Sequence, residues 1–87
     1  MDRYAENEKR LNELHKQIVS DILVTLKEKG YGVGSEAKTI QCFFKIEFDR
    51  LLIKKAGDED YYHTDKLSCD YLLVCLKAAL QCIPKYN

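Results

Sequence analysis

The segment that most constrains this chain is Ser68 to Ile83, SCDYLLVCLKAALQCI, which as a helix is apolar on almost every side. At about 100° per residue, Asp70, Lys77 and Gln81 fall on one narrow strip, and nothing else in the segment is strongly polar. An ordinary surface helix buries one stripe, whereas this one asks to be covered on two or three sides. With 87 residues in all, little else is available to cover it. The expectation is a helix at the centre of a small bundle, or one shared with a second subunit.

Two apolar faces can be told apart on that helix. Leu72, Leu73, Leu76, Leu80 and Ile83 make a bulky aliphatic face suited to a core. Tyr71, Cys75, Ala78 and Cys82 recur with the spacing of a coiled-coil seam, and their small members would let another helix approach closely. This second face is the expected contact with a protein partner or with a second copy in a homodimer.

Upstream, residues 1 to 29 read as one long helix. Leu11, Leu14, Ile18, Val19, Ile22, Leu23, Thr25 and Leu26 share about half the wheel, and Gly30 supplies a stop. The run GYGVGS is a loop, since three alternate glycines suit neither a helix nor a central strand. Residues 36 to 56 carry two signals. From Phe44 to Asp49 apolar and charged residues alternate, which is the pattern of a strand. The flanks are helix-forming, however, and no Gly, Pro or Asn-Gly turn offers a hairpin a place to fold back. A helix is preferred, with Ala37, Ile40, Phe44, Phe48 and Leu51 as its stripe. Thr64 or Asp65 is expected to cap the last helix and Pro84 to end it. The resulting architecture is all-α, a single domain over residues 1–87 forming a three-helix bundle around its C-terminal helix. The alternative is α+β with residues 39–53 as strands.

Fourteen Lys and Arg balance fourteen Asp and Glu, a formal net charge of zero. That removes the usual electrostatic drive toward nucleic acid or an anionic membrane, and it weakens self-repulsion between copies. Lys38, Lys45, Arg50, Lys54 and Lys55 do make the middle segment positive. On a helical wheel they scatter, so a nucleic-acid-binding regulator using them is the second reading. The opening MDRYAENEKR is charged, unlike a secretory signal, and no run approaches the ~18 apolar residues of a membrane span. Cys42, Cys69, Cys75 and Cys82 read as reduced, buried thiols, so a cytoplasmic protein is expected.

Constellations that could carry chemistry are weak. No Cys-x2-Cys knuckle is present, so no metal or cofactor is expected. Cys69 has His63 and Lys66 near in sequence, but Asp65 and Asp70 oppose its activation. His15 lies in an apolar stripe and reads as structural. The glycine loop lacks the Gly-Lys-Ser/Thr ending of a phosphate-binding loop. The acidic aromatic loop of Asp58, Glu59, Asp60, Tyr61 and Tyr62 lacks calcium-ligand spacing, but it suits contact with a basic protein surface. The expected function is therefore that of a non-enzymatic interaction module, a regulator or inhibitor that occupies a partner's surface.

Overall fold

The computed structural model describes residues 2–48 and 50–85. Asp2–Glu28 form helix α1. The strands are β1 (Glu36–Lys38), β2 (Cys42–Ile46), β3 (Leu51–Lys55) and β4 (Tyr62–His63). A 3₁₀ turn at Thr64–Lys66 leads into helix α2 (Cys69–Gln81). The strands make an antiparallel meander in the order β1-β2-β3-β4. Both helices pack on one face of it, so the fold is α+β with two layers.

This overturns the three-helix bundle, and the error lies in residues 36–56. Along β2 and β3, burial alternates residue by residue: Cys42, Phe44, Ile46, Leu51 and Ile53 face the helices and are buried, and Phe43, Lys45, Leu52 and Lys54 face away. A period of two is what a half-covered sheet requires. The fold-back points carry no glycine because side chains and backbone bonds close them. At the first turn, Cys42 N donates to Thr39 Oγ1 (3.0 Å), while Thr39 N (2.9 Å) and Thr39 Oγ1 (2.7 Å) donate to Cys42 O. At the second, Glu47 N donates to Arg50 O (2.9 Å), and the Arg50 guanidinium meets the Glu47 carboxylate at 3.2 Å.

Helix α1 ends where expected. Gly30 adopts φ +95°, Tyr31 N donates to Leu26 O and Gly30 N to Lys27 O, both at 3.0 Å, which is a Schellman closure. Helix α2 starts later than expected. Its N-cap is Ser68, whose Oγ accepts from Tyr71 N (3.2 Å), and Thr64 and Asp65 belong to the preceding 3₁₀ turn.

The core joins Ile18, Ile22 and Leu26 of α1 to the inner sheet face and to Leu72, Cys75, Ala78, Ala79 and Cys82 along α2 and its C-cap. Contacts at both ends make the helices parallel. His15 Nε2 lies 2.9 Å from Thr64 O and 3.0 Å from Leu67 O, just before α2. At the far end Lys29 Nζ donates to Leu80 O (2.6 Å) and Cys82 O (2.5 Å), and Tyr31 OH donates to Ile83 O (2.7 Å). Lysine at that position satisfies carbonyls that a helix C-terminus leaves unpaired. Among the described residues no helix is long and apolar enough to cross a membrane.

Candidate nucleic-acid interface

The Tyr71, Cys75, Ala78 and Cys82 face, expected to meet a partner, turns inward. Cys75 is 0 % exposed, Ala78 3 % and Cys82 5 %, all three within the core cluster, and Tyr71 is half-buried against it. The sheet occupies the place a second helix was expected to take, so this face serves mainly as core. The polar strip of Asp70, Lys77 and Gln81 is the solvent side of α2, flanked by the exposed Leu73, Val74 and Leu80.

The two halves of the 58–62 loop also separate. Asp58, Glu59 and Asp60 are exposed in the β3–β4 turn. Tyr62 pairs with Ile53 and so lies on the helix side of the sheet, whereas Tyr61 lies on the other side with Lys45 and Lys54. His63 and Cys69 form no working pair: His63 Nδ1 accepts from Asp65 N (3.1 Å), and Cys69 Sγ rests 3.8 Å from Leu11 O.

The face of the sheet away from the helices brings together what the helical wheel scattered. Opposite residues in an antiparallel ladder share a face. Phe43 is paired with Lys38 on one side and Lys54 on the other; Lys45 is paired with Glu36 and Leu52, and Leu52 with His63. The side chains alternate cation and ring across the face. Lys38 Nζ lies 5.8 Å from the Phe43 centroid and Lys54 Nζ 4.8 Å from it; Lys54 is also 5.4 Å from the Tyr61 centroid, and Lys45 is 5.9 Å from it. These are cation–π distances. Three lysines therefore surround two aromatic rings on a surface with one carboxylate, Glu36, among its paired residues. Burial and then the nearby Glu36 charge raise the Tyr61 hydroxyl above its ordinary value.

The residues that sequence reasoning missed here are Phe43 and the lysine alignment. Both follow once a period of two is applied within each strand and the strands are paired in register, Lys38 with Phe43 and Phe43 with Lys54.

The thiols are placed otherwise. Cys42 of β2 and Cys75 of α2 are both buried in the core. The interaction between the two thiols lowers Cys42 to about 7, against the effect of burial, and pushes Cys75 up in turn. Cys42 is only 1 % exposed, so its lowered value does not make it available to a substrate. Among the described residues no group of three or more His, Cys, Asp or Glu could hold a metal ion.

Compared with protein-family models, with curated proteins and with solved structures, the chain matches none.

Proposed function

We propose that this protein is a non-enzymatic binding module that takes nucleic acid on the open face of its sheet. The observation carrying the reading is the convergence of Lys38, Lys45 and Lys54 around Phe43 and Tyr61 on the sheet face opposite the helices. Ammonium groups neutralise phosphates and release their counterions, which supplies sequence-independent affinity. Zero net charge does not cancel this. Near physiological salt the Debye length is about 8 Å, so a bound strand feels the lysines it touches far more than acids beyond that distance.

The test is fluorescence anisotropy of labelled oligonucleotides of mixed sequence, single-stranded and duplex, in 0.01 M salt. Binding is expected to weaken with added salt with a logarithmic slope of about −2 for single strands, as three phosphate contacts imply. Lys38→Glu, Lys45→Glu and Lys54→Glu combined should abolish it while leaving the circular dichroism spectrum unchanged. Absence of binding to either form at 0.01 M salt overturns the reading.

A second reading keeps a protein partner, namely a second copy of the chain. It is favoured by a separate observation: Ile40 (96 % exposed) and Ile83 (77 %) line a groove with Ala78, and Ile40 also adjoins Val74. Apolar groups of this size left in water favour association, and a neutral chain does little to oppose it. Sedimentation equilibrium across a hundredfold concentration range distinguishes the two. A dimer dispersed by Ile40→Gln and Ile83→Gln supports this reading, and a strict monomer removes it.

A further inference from the structure

Building on the assignment of the open sheet face to nucleic acid, we infer that its ligand is a single strand whose bases stack on Phe43 and Tyr61, and not a duplex held by its phosphates alone. The rings decide this. A surface meant only for phosphate needs lysines and gains nothing from aromatics between them. Here each ring stands beside two ammonium groups, and Lys54 serves both. Phe43 is on β2 and Tyr61 directly precedes β4, so the rings stand two strand spacings apart, about 10 Å. That leaves room for a separate base on each.

The lysines resting on the rings do not block such stacking. An ammonium over a ring that water still reaches, as at the half-buried Phe43 and Tyr61, is worth roughly a two- to fivefold factor. A base stacked on an aromatic side chain is worth about fivefold to a hundredfold. Two ammonium groups stand beside each ring, together worth roughly fourfold to twenty-fivefold. Exchange is favourable because they are not lost: the base takes the ring, and the displaced ammonium groups, on long flexible stems, move to the adjoining phosphates. Phe43 is held in place by the backbone of β2, and Leu52 is half-buried on the same face.

A duplex cannot use these rings. Four strands side by side span about 14 Å, wider than the roughly 12 Å major groove of B-form DNA. The sheet would rest on the outside of a duplex and meet only its phosphates, with the paired bases out of reach.

The experiment compares three probes on the intact chain in 0.01 M salt: a labelled ten-residue oligo(dT), an abasic oligomer with the same phosphates, and a ten-base-pair duplex. Oligo(dT) is expected to bind at least tenfold more tightly than either of the others. Phe43→Leu and Tyr61→Leu should each weaken oligo(dT) about fivefold to a hundredfold, leave the duplex unaffected, and be rescued by Phe43→Tyr and Tyr61→Phe. Equal binding of oligo(dT) and the abasic oligomer overturns the inference while leaving the phosphate-binding assignment intact. Failure of all three probes to bind overturns both. The abasic comparison uses only the wild-type chain, so it stands even where a ring variant loses its fold.

Discussion

His15 shows how one side chain can fix two elements at once. Its Nε2 faces two carbonyl oxygens, Thr64 O and Leu67 O, so that nitrogen must carry the proton and donate to both. Removing it takes this donor from the Leu67 carbonyl and leaves Thr64 O with Leu67 N alone, at a cost of about 1–3 kcal/mol. His15→Ala should lower the melting temperature by about 4–8 °C for each kcal/mol lost, with His15→Gln recovering part of the loss in a thermal melt. Tyr71 makes a different prediction. Burial first, then Cys75 and Cys42, push its hydroxyl up to about 12 from the ordinary 10. The unfolded chain therefore loses this proton before the folded one, so the group's contribution to stability is complete below pH 10 and is lost between pH 10 and about 12. An ultraviolet titration should show a late tyrosine near pH 12, and Tyr71→Phe should remove it and flatten the alkaline fall in stability. At this scale much was legible in the sequence. Gly30 stops its helix, and Cys42, Cys75 and Cys82 are buried small residues, because chain stops and hydrophobicity are local properties. Which face of α2 Cys75 occupies was not, since that depends on what lies opposite.

At the scale of elements, the turns explain why the sheet was hard to read. Hairpins announce themselves when Gly or Asn supplies a left-handed turn, but Thr39 closes its turn through its hydroxyl, and Glu47 and Arg50 close theirs through the backbone and an ion pair. Such closures depend on partners three residues away and leave no dipeptide signature. Thr39→Val keeps the shape and removes the hydroxyl, so it should destabilise the domain by about 1 kcal/mol, with the first loss of amide protection in hydrogen exchange at β1. The alternation around Phe44 was the true signal, and the helix-forming flanks masked it. Helix α2 was legible as a helix but not in its orientation, and two adjacent leucines now test that. Leu72 is 0 % exposed and Leu73 is 43 % exposed. Leu72→Ala should cost about 2–5 kcal/mol, whereas Leu73→Ala should stay within about 1 kcal/mol in urea denaturation. Similar costs at both positions would mean the helix is rotated or covered on its outer side.

For the molecule as a whole, the zero net charge is an average over separated signs. Lys38, Lys45 and Lys54 lie on the open face, while Asp58, Glu59 and Asp60 sit in the turn that leads to Tyr61. Whether the average or the separation governs binding depends on the range of the field compared with the size of the body. The domain measures 51 × 26 × 23 Å. At 0.01 M salt the Debye length of about 30 Å exceeds its two short dimensions, and an approaching phosphate chain feels attraction and repulsion together. At 0.15 M salt it is about 8 Å, and those carboxylates of the turn that lie farther than this from the strand are largely screened. Net charge points away from nucleic acid because composition carries no positions, and a helical wheel scatters lysines that a sheet aligns. Replacing Asp58, Glu59 and Asp60 together by Asn, Gln and Asn should therefore tighten oligo(dT) binding severalfold at 0.01 M salt and by less than about twofold at 0.15 M. An equal gain at both salts in anisotropy titrations would mean the acidic turn contacts the strand directly, and the open face would then have to extend past Tyr61 to include it.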